Sequence, residues 1–467
     1  MVTIQKTELK EGILKGIEKA KKTSASILVS DVQKIESIEP LSFFAAGFNK
    51  YHGERFFWKH PSEEFYLIGL GICKRMVTDQ EADRFFHVEK EWNRLIEKAI
   101  IQTTENTQGT GPTAFGCLSF DPLKEKTKLW SNFDDSIFHV PKYMLTVKDH
   151  QVYLTTNVIC SDQDDSTMID KIEMEMKEIV EASVTYRLPV ENHLLVKRID
   201  INPEKWKQAV DKVAHDLQNN PSLKKVVLAR ELRLIFNKRI VIEKVLNSLL
   251  KDQHNSFIFA FESNGDCFMG ATPERLVKKE GDQVFSACLA GSIARGKSEK
   301  EDLQLGNTLL DDKKNRIEHQ YVVDMIREAM NDTCSKVCIP ESPQLFKLKH
   351  IQHLYTPVVG KVNPNTSLLD LVKRLHPTPA LGGLPKNEAL IKIREVEELD
   401  RGFFGGPIGW FDHKGNGDFS VAIRSGLIQG NEASIFAGCG VVEDSESESE
   451  FEETNIKFKP MLSALGG

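Results

Sequence analysis

The chain has 467 residues, with 61 Lys and Arg against 68 Asp and Glu, a formal charge of −7. Hydrophobic residues make up 40 % and charged ones 28 %, the usage of a globular protein long enough to bury a core without cross-links. The acidic balance excludes general nucleic-acid or membrane-surface binding, and no apolar run reaches the roughly 18 residues of a membrane span.

At roughly 150 residues per domain, length alone points to about three domains. The opening MVTIQKTELKEGILKGIEKAKK alternates charge with Ile and Leu, which predicts a surface helix rather than a secretory leader. An ILVS strand and aromatic-rich extended runs such as RFFWKHPSEEFYLIGLGIC follow. TENTQGTGPT has the polarity of an exposed loop, and FGCLSFDP reads as a strand running into a turn. The loop starting at Cys160 partly imitates a calcium loop through Asp162, Asp164, Ser166 and Glu173. Thr167 stands where that loop needs Gly, so a solvated loop entering a helix is expected instead. The cysteines are scattered without a paired CxxC framework, which predicts reduced thiols, Cys334 and Cys338 included, and a cytoplasmic protein.

From about residue 200 the pattern sharpens. PEKWKQAVDKVAHDLQN is helical, KKVVLARELRLIF alternates as a strand, and VIEKVLNSLLKD is helical again. SFIFAFES and DCFMGATPERLVKKEGDQVFSACLAGS read as hairpins, and DKKNRIEHQYVVDMIREAMND as a long helix. A β-meander, GPIGWFDHKGNGDFSVAIRSGLIQGNEASIFAGCGVV, follows with GNGD and QGNEA as turns. Strands in consecutive hairpins predict an α+β fold with large antiparallel sheets.

The chain lacks a GxxxxGK[ST] loop, HExxH, a GxSxG elbow and a GxGxxG opening a helix. In SESESEFEETNIKFKPML the acids to Glu448 read as a solvated face, but Glu450, Glu453 and Lys457 fall on one helical stripe. Phe451, Thr454, Phe458 and Met461 form a neighbouring apolar stripe, and Pro460 is expected to bend or end the helix early. Paired carboxylates facing an interior repel unless a cation lies between them, and magnesium, which prefers oxygen ligands, is a natural candidate. Glu318 shares a stripe with Val322, Met325 and Ala329, so it faces inward or sits at a stripe edge. Lys225 lies on the same strand face as Val227 and Ala229; there it either snorkels to solvent or, buried, serves as a base. Glu274, after a strand and a Pro turn, is by itself an ordinary loop acid.

Together KKVVLAR, FMGATPERL, CLAGSIARG, NRIEHQYVV, HLYTPVVG, LHPTPALGGLP, RGFFGGPIGW, SVAIRSGLI, AGCGVVEDS and EFEETNIK resemble the chorismate-utilising enzymes, and within them the isochorismate synthases. The resemblance implies one intertwined α/β sandwich over residues 1–467, with antiparallel sheets inside and helices outside. In it, 1–200 form the variable half and 200–467 the catalytic half.

It further implies that Glu318 and Glu453 bind Mg²⁺, with Glu450 an outer ligand through water, and that the ion meets the ring carboxylate of chorismate. Arg424 and Lys457 are expected to grip carboxylate oxygens, and the backbone of Gly291 and Gly438 to approach the substrate closely. Lys225 is the expected base and Glu274 the expected acid, each with its protonation inverted from its free preference. His353 lies beside the substrate as an orienting or structural ring. Lys225, Ala290 and Ala380 replace the Gln, Lys and Thr usual in amine-using relatives, and Asn315 replaces an acid common in the family. Menaquinone-pathway isochorismate synthesis is the expected function, siderophore-pathway synthesis and salicylate synthesis the alternatives. No amidotransferase subunit is expected, and the chain is expected to be a monomer or weak homodimer.

Overall fold

The computed structural model describes residues 7–79, 83–103, 105–348 and 351–467. Its strands hydrogen-bond into one continuous network. Every described pairing is antiparallel except that of Val29–Asp31 with Ile100–Gln102.

The network can be followed from the Lys225–Phe236 strand. It pairs with Glu432–Val441, which pairs with Ser425–Gln429, then Asp266–Thr272 and Phe257–Ser263. The path crosses into the amino-terminal half at Arg55–Lys59 and continues through Phe65–Thr78 and Ser136–Lys148 to Thr113–Leu118. It returns at Pro407–Asp412 and ends through Gly417–Val421, Arg275–Glu280 and Gln283–Ala294 at Ile351–Val362. Residues before and after 200 therefore alternate within one ladder.

The strands are built from runs of β-branched and aromatic residues buried on both faces, such as FIFAFES over Phe257–Ser263. Between the inner faces lies an aromatic core that includes Phe56, Trp58, Phe115, Trp130, Phe261 and Trp410. Phe56 stacks on Phe115 with ring centroids 4.5 Å apart. Helices cover the outside. Thr7–Thr23 lays Leu9, Ile13, Ile17 and Ala20 inward, as its charge alternation foretells, while residues 1–6 of that expected segment lie outside the described residues.

Two readings need correction. The final helix, Ser447–Leu465, continues past Pro460, so the expected early end does not occur there. Proline frees the carbonyl of Ile456, but Ile456 is exposed, so water can satisfy it, while buried Phe458, Met461 and Leu465 hold the last turns down. An additional helix, Glu299–Asp311, fills a stretch without an expected element; Ser298 caps it by accepting from Glu301 N. The loop after Cys160 does lead into a helix, Thr167–Thr185, with Asp164 and Asp165 bonded to Ser161 and Thr167. All eight thiols are free. No helix among the described residues is long and apolar enough to cross a membrane.

Candidate active site

The two ends of the strand path face a common cavity of about 360 Å³. Lys225 and Gly438 reach it from one end, Gly291 and His353 from the other. Glu274 and Arg424 enter from the turns between, Ala380 from a loop, Glu318 from the Lys313–Asn331 helix, and Glu450, Glu453 and Lys457 from the last helix. All the residues expected at the catalytic, substrate and metal positions line it.

Lys225 heads its strand because Val226 to Ala229 behind it are buried and pinned between Glu432–Val441 and Gly383–Leu384. Only 6 % exposed, it lies across Gly440 and ends in an ion pair with Glu318. A Cβ on Gly440 would stand 2.2 Å from Lys225 Cε, so this glycine, absent from the sequence reading, makes the lysine's path possible. Gly438 is less crowded, its imagined Cβ meeting Leu228 O at 3.0 Å.

The helix carrying Glu318 is fixed at both ends of its first turns. Asp312 caps it by accepting from Asn315 N at 2.6 Å. His319 next lies 2.9 Å from Ala290 O and 2.8 Å from Thr356 Oγ1, which ties Glu318 to the two strands bearing Gly291 and His353. Gly291 sits at a register break between Leu289 and Ser292 with φ +78°, a conformation that favours glycine.

Glu274 is 8 % exposed, and its carboxyl makes no hydrogen bond among the described residues. Burial pushes its pKa up to about 7, against the pull of Arg424, Lys225 and Lys457. Arg424 has φ +51°, and its guanidinium has no hydrogen bond or ion pair among the described residues. Burial lowers that guanidinium to about 10. An unpartnered cation on a cavity wall is the group an anion would meet. Burial, with Arg424 and Lys457 nearby, lowers His353 to about 3, so its ring is neutral; its Nε2 is buried without a partner.

On the last helix Lys457 Nζ donates to Gly438 O at 2.8 Å and pairs with Glu453 at 2.5 Å. Burial raises Glu453, but Lys457, Lys225 and Arg424 outweigh it and hold the carboxyl below its ordinary value. Glu450 accepts from Ser445 Oγ at 2.8 Å, yet burial lifts it above the ordinary value.

Among the described residues no three His, Cys, Asp or Glu are grouped closely enough to enclose a metal ion. Glu318, Glu450 and Glu453 nevertheless share the cavity and offer only carboxylate oxygens. That donor set fits Mg²⁺, which commonly uses one or two carboxylates and fills its octahedron with water and substrate oxygens. Two of the three carboxylates are held by lysine ammonium groups, which supply the positive charge the pair needs.

The sequence reading also missed Arg401. It lines the cavity, 4 % exposed, and donates to Leu381 O at 3.0 Å and Val227 O at 2.7 Å while pairing with Glu397 at 2.6 Å. Its four-residue spacing from Glu397 was a signal, but one shared by any surface helix pair.

A family model described as chorismate binding enzyme matches residues 15–466. Isochorismate synthase MenF of Bacillus subtilis is 44 % identical, over 100 % of this chain and 99 % of its own. The salicylate biosynthesis isochorismate synthase of Pseudomonas aeruginosa is 31 % identical, over 97 % of this chain and 94 % of its own. The solved structure of MenF, the menaquinone-specific isochorismate synthase of Escherichia coli, covers 97 % of this chain and 100 % of its own with a TM-score of 0.77. At 21 % identity it is a likeness of fold. Cavity, fold and full-length matches agree: this chain belongs to the chorismate-binding enzyme family.

Proposed function

We propose that this protein is an isochorismate synthase that moves the chorismate hydroxyl from C4 to C2, uses Mg²⁺, and serves menaquinone synthesis. The observation that carries the reading is one cavity with a buried lysine, Lys225, and a buried carboxyl, Glu274, lifted to about 7. The full-length 44 % likeness to a MenF enzyme supports the menaquinone route, since the MenF of Escherichia coli is menaquinone-specific; the DhbC isochorismate synthase of the same Bacillus subtilis strain is only 35 % identical over 56 % of this chain.

In this reading Arg424 and Lys457 bind the two carboxylates of the substrate, Arg424 with a bidentate fork. The backbone of Gly291 and Gly438 borders the ring, His353 offers Nε2 to a hydroxyl or water, and Ala380 leaves room beside the ring. Lys225 parts from Glu318, releases its ammonium proton to solvent, and as the neutral amine takes a proton from the water that attacks C2. The two ring double bonds shift in turn, the C4–O bond breaks, and Glu274 gives its proton to the departing hydroxyl, which leaves as water. Chorismate and isochorismate are therefore isomers, with one water consumed and one released. Positioned proton transfer of this kind contributes about 10²–10⁴-fold. Glu318 and Glu453, with Glu450 as an outer ligand, would hold Mg²⁺, and the ion would supply hard positive charge for the ring carboxylate.

No ammonia is consumed, so the enzyme acts without an amidotransferase subunit; we place it in the cytoplasm as a monomer or weak homodimer. Pure protein with chorismate and Mg²⁺ tests the proposal by product chromatography. Isochorismate is expected; salicylate and pyruvate without isochorismate would overturn it.

A further inference from the structure

A second cavity, about 620 Å³, lies beside the Lys225–Phe236 strand, lined by residues the active-site cavity does not use. Its apolar surface comes from residues such as Trp206, Ala209, Leu228 and Leu399. Its acids are all engaged. Glu395 pairs with Lys212 at 2.8 Å, Glu398 with Lys205 at 2.7 Å and Glu231 with Arg233 at 2.8 Å. Glu397 pairs with Arg401, and Asp400 accepts from Thr127 N at 2.7 Å. The unused groups are donors. The Lys128 ammonium has no hydrogen bond or ion pair among the described residues and Trp206 Nε1–H is buried without an acceptor, while Arg233, paired with Glu231, keeps 35 % of its side chain exposed.

A cavity of this size with an apolar wall and spare donors takes a ligand with a ring body and an anionic end. The two cavities share a wall. Glu397, in the second cavity, accepts from Ala229 N at 2.7 Å and grips Arg401, which lines the active site. Arg401 in turn holds Val227 O, two residues from Lys225, and Leu381 O, next to Ala380. Anything that moves Glu397 reaches both walls of the active site through one buried ion pair.

We propose that this second cavity is an effector site for a small ring-bearing carboxylate, coupled to the active site through Glu397 and Arg401. The test is calorimetric titration of the full chain with 2-naphthoate, with neutral 2-naphthol for comparison, alongside chorismate turnover. Naphthoate is expected to bind saturably, about ten-fold tighter than naphthol, and to shift KM or kcat about three-fold. Ala209→Trp, which fills the cavity away from the catalytic groups, keeps basal turnover but loses both the binding and the shift. Lys128→Ala, a surface change that spares the fold, weakens naphthoate and leaves naphthol alone.

No saturable binding, or equal affinity for the two probes, overturns the site. A turnover effect that survives Ala209→Trp marks competition at the active site and overturns it too, as does binding that leaves turnover unchanged. The calorimetry needs no turnover, so it reads the site independently of what the active site converts.

Discussion

Gly440 stands where a single methyl group would strike Lys225: an added Cβ would fall 2.2 Å from Lys225 Cε and 2.8 Å from Nζ. The obstructed atoms are the far end of a flexible side chain, so the backbone need not move. Gly440→Ala is expected to displace the amine and cut kcat about 10²-fold, the low end for a misplaced proton-transfer group, while the melting temperature barely changes. Steady-state kinetics beside a thermal melt checks this; undiminished kcat would separate the lysine from the chemistry.

Lys225→Ala removes the proposed base altogether. Turnover is expected to drop about 10²–10⁴-fold, while chorismate still raises the melting temperature because Arg424 and Lys457 remain. Unchanged turnover would take Lys225 out of the base role.

Glu274 makes the activity and the stability depend on pH in defined directions. Its pKa is about 7 in the folded chain, above the ordinary 4.5, so the native state binds more protons than the unfolded one between those values. Stability from this group is full below pH 4.5 and is lost as pH rises to about 7, a loss of about 3 kcal/mol. Denaturant melts should show that fall in the parent and not in Glu274→Gln. Turnover, needing the protonated acid, should fall as pH rises through about 7.

Glu453→Gln is expected to lose activity that higher Mg²⁺ partly restores, because one of the carboxylates of the proposed ion site becomes a neutral amide. A magnesium titration of kcat measures it. Metal dependence identical to the parent would remove Glu453 from the ligand set.

Far from the cavity, Arg55 is fully buried between Glu262, at 2.5 and 2.9 Å, and Glu243 at 2.7 Å. Its guanidinium also lies 4.1 Å from the centre of the Phe44 ring. Arg55→Ala leaves two buried carboxylates facing each other and should cost about 3–5 kcal/mol of stability, read in urea denaturation.

The last-helix residues of the site were legible because their spacing carries information, whereas Lys225, Glu274 and Glu318 were ambiguous by position alone and stood out only through the family resemblance. Glu450, Glu453 and Lys457 announce one helical face, and buried Val226 to Ala229 announce the strand behind Lys225. Gly440 and Arg401 were not legible, because what matters is a neighbour distant in sequence: Lys225 is 215 residues from the glycine that clears its path. The helix does not end at Pro460, because burial of Phe458 and Leu465 outweighs the local propensity of proline. The alternation of the two halves along one ladder left no local trace, since strand partners are chosen by tertiary packing.

That alternation bears on how the chain emerges from the ribosome. Phe56 to Lys59 wait for Ile258 to Phe261, and Thr113 to Cys117 wait for Ile408 to Asp412. Vectorial synthesis therefore leaves early strands with bare edges for some three hundred residues of translation. A chaperone that shields such edges would raise the yield of native protein without ever touching its chemistry.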